Sequence, residues 1–415
     1  MTVGAPTAVD VAIVGGGMVG ASLALALAAT DKRVALIEAV APDAALQPSF
    51  DDRTTALGNG SRRILESLGV WQHLVGHAGA VREIQVSDAG HMGGARLSAA
   101  QQRLDALGFV VPNRCIGAAL WQQLMARPQI LIRRPACVRE VRLTANAAAL
   151  TVVAGSDPPS GGDAVLEEFT ARVVVAADGA HSQVRAAAGI AAAVEDYDQV
   201  AVVVHLATDR PSAGIAFERF TTTGPLAVLP LADGHYTVVW TLAPERATQM
   251  LALDDAAFCA ELQRSFGWRI GRMQRAGVRA SYPLRLTRAD STTGRRAVLV
   301  GNAAQALHPV AGQGFNLGLR DAALLAEILA AAPDPGAPAV LETYERRRAA
   351  DRSGMISFTD SLVKLFSSDR FAVAAGRNLG LMLFDLVPGA KQALSRLSWG
   401  FGGDQPRLMR GLPVT

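Results

Sequence analysis

The feature that most limits what this chain can fold into is a short apolar run, Val9–Val14, closed by the glycine turn Gly15-Gly16-Gly17-Met18-Val19-Gly20. The run reads as a β-strand, and Ala21–Ala29 behind the glycines reads as a helix. A second strand, Arg33–Ile37, ends at Glu38. Gly15 and Gly17 let the turn close and let a pyrophosphate approach the backbone, and Gly20 lets the helix pack against the strand. An acid at Glu38 can accept from a ribose hydroxyl and repels a 2′-phosphate. A glycine motif alone is a weak signal. With a strand before it, a helix after it and an acid closing the next strand, it specifies an adenine dinucleotide site.

A second glycine-rich stretch lies far downstream. Ala297–Val300 reads as a short buried strand and leads into Gly301–Leu329, which carries Gly301, Gly312, Gly314 and Gly318 and the pair His308-Pro309 ahead of a helix. Each glycine costs folding entropy, so this density favours a ligand loop over an ordinary strand–helix turn. The start of the helix would present free N–H groups and about half a positive charge.

Between the two, Asp51–Leu57 (DDRTTAL) precedes a helical pattern at Ile64, Leu65 and Leu68, and Arg53 reads locally as a solvated loop arginine. Residues 80–111 read as strand and loop, and Asn113–Leu124 as a helix. Residues 130–176 suggest a β-meander, with Gly155–Asp163 as a hairpin tip. The apolar strand Ala171–Ala177 ends in Asp178-Gly179, where α/β sheets bind ligands, although a plain turn has the same composition. Residues 195–245 change to alternating strands and predict a mainly antiparallel sheet. Its Phe217, Phe220, Pro225 and Trp240 read either as cavity wall or as core. Residues 254–270 read as helical, and Arg279–Leu286 as the return to the first domain.

Composition narrows the function. A net charge of +3 is too small to imply nucleic acid. Cys115, Cys137 and Cys259 are scattered, so no metal is expected and the thiols read as reduced, in a cytosolic-type compartment. No secretory signal or transmembrane-length run is visible. The tail from Ser361 is apolar with interspersed cations, among them Lys364, Arg370, Arg377, Lys391, Arg396, Arg407 and Arg410. Such a tail suits a membrane surface, a terminal bundle or a dimer face.

Taken together, GGGMVG, DDRTTAL, Asp178-Gly179, Gly224–Leu231 (GPLAVLPL), Trp240 and Gly301–Asp321 appear in the order of a known family. From about Asp10 to Gly403 the chain resembles the FAD-dependent aromatic-ring hydroxylases of the para-hydroxybenzoate hydroxylase fold. It is most similar to their ubiquinone-biosynthesis branch, in particular the 2-polyprenyl-6-methoxyphenol hydroxylases. One departure from the wider family, Asn302 in place of an acid after Gly301, is usual in that branch and supports the resemblance.

The resemblance implies an α/β fold: a Rossmann-type FAD domain (1–80, 112–190 and 277–360), a mainly antiparallel substrate domain (81–111 and 191–276) and a helical C-terminal region (361–415). It implies that Gly15, Gly17, Met18, Val19, Gly20 and Glu38 hold the ADP half. Arg53, Arg114 and Asp178 would lie along the cofactor, Gly301 and Asn302 at its central hydroxyls, and Gly312, Gly314, Phe315 and Asn316 at the ring. Pro309 would face the reaction site, with His308 beside it, and Phe217, Phe220, Pro225 and Leu229 would bind substrate.

The implied reaction is ring hydroxylation of a polyprenylated phenol through a C4a-hydroperoxyflavin, with NAD(P)H as donor and O2 as co-substrate. His205, His235 and His308 are the histidines open to a base role. Other ubiquinone-biosynthesis proteins, an oligomer partner and the inner membrane face are the implied associations, from a cytoplasmic location. Two other readings stay open: a hydroxylase of another ring position or of a small aromatic acid, for which Arg219 is the obvious cation, and a flavoprotein scaffold subunit.

Overall fold

The computed structural model describes residues 5–41, 53–90, 94–155, 166–306, 312–366 and 404–415. Its first layer is an eight-stranded sheet. At its centre Ala297–Leu299, Leu166–Ala176, Thr7–Val14, Val34–Ile37 and Ile130–Arg133 run parallel, in that order. Val11, Ile13, Val173 and Val175 fill one face, and Ala12, Val14, Val174 and Ala176 the other. Burial on both faces is why these strands read as unbroken apolar runs rather than alternations. Helices Met18–Leu27, Asn113–Met125 and Gln313–Ala331 close the first face through Leu23, Leu27, Leu120 and Leu324. The antiparallel strands Ala136–Leu143 and Ala148–Ala154 add Val138, Leu150 and Val152 to the core of the second.

The second layer is a nine-stranded sheet in which Ala280–Ala289, Ala192–Thr208, Tyr236–Leu242, Gly224–Pro230, Ile215–Thr221, Glu83–Asp88 and Gly94–Ser98 are successive neighbours. One of its faces packs on helices Pro244–Ala252 and Asp255–Phe266 through Val202, Val204, Leu226, Val228 and Val238. A small sheet of Thr54–Gly58, Gly108–Pro112 and Gly79–Val81 joins the layers, with Val81 and Val110 packed on Ala216 and Leu231.

Three expectations change. Phe217 and Trp240 wall no cavity: both point to the helical side, with edge-on ring contacts to Phe266 (5.5 Å) and Phe258 (6.1 Å). Period-two alternation puts every second residue of an apolar strand in that core. Arg279–Leu286 does not return to the first domain. Ala280–Ala289 pairs antiparallel with Ala192–Thr208, and the return comes at Ala297–Leu299. The last residues are part of the first core, which includes Leu408, Met409 and Val414, and Ser67 Oγ donates to the Leu408 carbonyl. Most of the cationic tail, Arg370 to Arg396, lies outside the described residues, as do most of Gly155–Asp163 and the pair His308 and Pro309. Among the described residues no helix is long and apolar enough to cross a membrane.

Candidate active site at two interlocked glycine turns

Three parallel strands deliver their C-terminal ends to one edge. Thr7–Val14 ends at Gly15, Leu166–Ala176 ends just before Asp178, and Ala297–Leu299 ends just before Gly301. The first turn needs its glycines. Gly15 has φ +100°, and a Cβ there would stand 2.3 Å from the Ala177 carbonyl oxygen. A Cβ on Gly20 would lie 1.9 Å from the Gly15 carbonyl oxygen. Glu38 accepts from the Gly16 N–H and from the Val40 N–H (2.8 Å), which fixes its buried carboxylate beneath the turn. Trp121 Nε1 donates to the Gly16 carbonyl at 3.0 Å, and Arg134 stacks 3.8 Å from the Trp121 ring. No motif flagged Trp121, because its role depends on a contact more than a hundred residues away in sequence.

Val19 ties the second turn to the first. Gly301 has φ +56° with Val19 Cγ2 3.1 Å from its Cβ position, and a Cβ on Gly318 would stand 2.8 Å from the same methyl. Helix Met18–Leu27 starts on Gly17 and helix Gln313–Ala331 on the left-handed Gly312 (φ +59°); neither start carries a capping side chain. Without a side-chain cap, the positive end of each helix dipole faces its turn, which suits an anionic or carbonyl-bearing ligand. Among the described residues nothing lies within 4 Å of a Cβ position on Gly314, whereas the first turn is tightly closed.

Asn316 is engaged differently from what its motif implies. Its Oδ1 accepts from the Gly58 N–H (2.9 Å) and Ser61 Oγ (2.7 Å), and its Nδ2 donates to the carbonyls of Ala56 and Gly312 (2.8 Å each). All the hydrogen-bonding capacity of the amide is used within the protein. The side chain therefore clamps the helix start to the small sheet and has no group left for a cofactor ring.

Asp178 supplies the clearest sign of a missing partner. Its Oδ2 accepts from Gln183 N (2.9 Å) and Val184 N (3.4 Å), while its Oδ1 is buried and unpaired. Burial pushes the carboxyl above its ordinary range, against the donors from Ser182 and the nearby backbone. Such an acceptor calls for a donor, and a sugar or ribitol hydroxyl has the right chemistry. Arg185 donates to the carbonyls of Ala303 (2.9 Å) and Ala180 (2.7 Å), which couples the Asp178 loop to the second turn. Asn302 and Arg114 are exposed at the same edge, and Phe315 packs partly on the core. Arg53 sits 4.5 Å from the Tyr282 ring and so reaches the second sheet, while its carbonyl accepts from Asn113 N. Uncapped helix starts, an orphaned acceptor and the opening at Gly314 together fit FAD stretched between the two turns.

The face of the second sheet turned toward the small sheet forms the opposite wall. Strand pairing puts Phe220 opposite Pro225 and Glu218 opposite Ala227 on that face. Leu229 is there too, against the Val81–Val110 cluster. Phe220, Pro225 and Leu229 thus share the face turned to the small sheet, and Phe217 does not. Arg219 points the other way: it pairs with Leu226 of the helix-side core, and burial followed by the charge of Arg269 lowers its pKa. His235 is no base for this site; it sits half-exposed against Asp233, 3.1 Å away.

Behind the second turn is a buried charge network that the sequence did not reveal. Arg348 contacts Asp321 (2.7 Å) and Asp351 (2.5 Å), Arg320 contacts Asp351 (2.9 Å), and Gln305 joins Asp321 to Arg352. It docks helix Pro338–Phe366 onto helix Gln313–Ala331.

Comparison with known proteins agrees with this geometry. The family model for an FAD binding domain matches residues 8–359. The chain is 38% identical to the ubiquinone hydroxylase UbiL of Rhodospirillum rubrum, over 98% of this chain and 93% of that protein. It is 34% identical to the 3-demethoxyubiquinol 3-hydroxylase of Escherichia coli, over 90% of this chain and 94% of that protein. Among solved structures, p-nitrophenol 4-monooxygenase PnpA of Pseudomonas putida superposes with a TM-score of 0.77 at 20% identity, covering 96% of this chain and 99% of that one.

Proposed function

We propose a reaction on the premise that the chain belongs to the FAD-binding-domain family of aromatic hydroxylases, in its ubiquinone-biosynthesis branch. It is an FAD-dependent monooxygenase, and the reaction we assign it is hydroxylation of the ring of a polyprenylated phenol. With NAD(P)H as donor, the balance is phenol, O2, NAD(P)H and a proton giving the hydroxylated ring, water and NAD(P)+. Bound FAD supplies the activation of O2. The chain's own residues do the rest. Gly15, Gly17, Gly20 and Glu38 hold the ADP half, while Asp178 and Asn302 take hydroxyls of the linker. The N–H groups at Gly314 and Phe315, beside Asn316 in the first turn of the helix, face the ring, where the positive end of the helix favours negative charge. Phe220, Pro225 and Leu229 exclude water above it. His308 and Pro309 remain part of the proposal from their place in the loop sequence.

The observation that carries this reading is the wall opposite the second turn. Around Phe220, Pro225 and Leu229 its charged neighbours are the acids Glu218 and Asp88, and the cation that a small aromatic acid would need, Arg219, is turned to the far side. An acid facing the site favours a neutral phenol over a carboxylate. For the ring position we keep 2-polyprenyl-6-methoxyphenol; the similarity to the Escherichia coli 3-demethoxyubiquinol 3-hydroxylase favours a second position. Lipid extracts of a strain lacking the protein decide between them: the polyprenyl-methoxyphenol accumulates in the first case and the demethoxy compound in the second. Normal ubiquinone in that strain would refute both. Rescue by a folded variant that no longer binds FAD, such as Gly314→Leu, would favour a scaffold role instead.

A further inference from the structure

Glu218 is a carboxylate with no structural task, placed where the proposed substrate ring must lie, and the role assigned to it rests on the function proposed above. Its direction is set by the sheet. In strand Ile215–Thr221, Phe217 and Val228 pair on the helix-side core, so Glu218 and its partner Ala227 belong to the opposite face. Ala216 and Leu229, on that same face, pack on Val81 and Val110 of the small sheet. The small sheet is fastened to the second glycine turn by Asn316 through Ala56 and Gly58. Glu218 therefore stands beside this contact and looks toward the flavin end of the site.

Its surroundings give it nothing to pair with. The residues abreast of it across the sheet are Val86 and Ala95 on one side, and Ala227, Val239 and Val203 on the other. Among the described residues no donor is bonded to its carboxylate, and burial alone pushes that carboxyl up to about 7. Other titratable or charged groups on this face sit elsewhere. Asp88 is on the adjacent strand opposite Phe220, Tyr282 lies under Arg53 at the far edge, and His205 is three strands away. A lone carboxylate in an apolar row costs stability that a leucine or glutamine would not.

We propose that Glu218 is the general base of the reaction, taking the proton of the substrate's phenolic hydroxyl. As the O–H bond breaks, the proton goes to a Glu218 carboxylate oxygen and the oxygen's electron pair moves into the ring. The electron-rich ring carbon then forms its new C–O bond to one atom of the activated dioxygen as the O–O bond breaks, and the second oxygen leaves as water. Loss of the hydrogen on that carbon restores the aromatic ring, and Glu218 returns its proton to water. A base that titrates close to neutrality is well matched to this transfer, since a good share of it is ionised near neutral pH while it is still basic enough to accept. The role also explains why an acid is tolerated in this row.

The test uses FAD-loaded full-length protein with a short-chain prenylated phenol and a ring-fluorinated analogue whose hydroxyl ionises below pH 6. In the wild type, kcat/KM for the ordinary phenol rises through about pH 7, and this limb is absent for the fluorinated one. Glu218→Gln should retain FAD and lose about 100-fold in kcat/KM on the ordinary phenol. It should lose far less on the fluorinated phenol, and Glu218→Asp should recover part of the rate. Equal losses on both phenols, or an unchanged rate and pH profile in Glu218→Gln, would overturn the assignment. The wild-type comparison alone decides the matter if the variants do not fold, because a limb that persists with the ionised phenol refutes it. Absence of product from the wild type with either phenol would instead overturn the underlying function, and Glu218's role with it.

Discussion

Asn316 and Gly58, 258 residues apart in sequence, are joined by a 2.9 Å hydrogen bond from the Gly58 N–H to Asn316 Oδ1. The same amide holds Ser61, Ala56 and Gly312, so one side chain sets the position of the second helix start against the small sheet. Asn316→Ala would strand two donors and two carbonyls. Each buried unsatisfied group costs about 1–3 kcal/mol, so a loss of several kcal/mol is expected. Calorimetry should show this in apoprotein and holoprotein alike. Asn316→Asp should be no milder, because a carboxylate repels the two carbonyls that the amide now serves.

Gly15 and Gly314 should respond in opposite ways to the same change. Gly15→Ala forces a Cβ against the Ala177 backbone at a positive φ and should give little folded protein. Gly314→Ala meets no atom of the described residues and sits in a helix, where Ala is favoured by roughly 0.5–1 kcal/mol. Its apoprotein should be slightly more stable while its FAD affinity falls. Fluorescence titration with FAD checks this, and unchanged affinity in Gly314→Ala would mean that the ring lies elsewhere.

Glu218→Gln should raise stability, and the gain should depend on pH. The folded carboxyl is pushed up to about 7 from 4.5, so the native state holds a proton that the unfolded chain has released. Stability on this account is full below about pH 4.5, falls as pH rises, and is lost above about 7. The variant should therefore match the wild type in acid and exceed it at pH 8, by an amount on the order of 3 kcal/mol. Melting curves at the two pH values test it, and a gain equal at both would point to packing instead.

Asp351 should show the opposite dependence. Burial acts to raise its carboxyl, but Arg320 and Arg348 outweigh that and hold it low. Its contribution is present above the ordinary carboxylate range and disappears as pH falls through the lowered value. Asp351→Asn leaves two buried arginines short of charge and should cost about 3–5 kcal/mol at neutral pH. Added salt should change this cost little, since the pair is out of reach of counter-ions.

Much of this site was legible in advance because its chemistry is written locally. Gly15, Gly17 and Gly20 satisfy steric rules within six residues of one another, and Glu38 and Asp178 stand at strand ends. The illegible part depends on contacts distant in sequence. Phe217 and Phe220 are both large and apolar, and only the pairing with Val228 and Pro225 says which of them faces the site. Arg320 and Asp321 lie inside the recognised motif, yet their partners come from a helix whose sequence reads as an ordinary charged surface. Glu218 carried a faint signal, an acid within the apolar strand IAFERFT, which periodicity alone could not separate from a solvated position.

The methyls of Val19 rest between Gly301 and Gly318, so the two ends of the FAD site cannot drift independently. That side chain adds a direct brace to the sheet whose parallel strands end at both turns. The protein thereby gauges its cofactor by length: a mononucleotide matches the chemistry of one end and misses the span. Shaving Val19 to alanine should loosen that gauge, lowering selectivity for FAD over FMN without touching a single group that bonds to either.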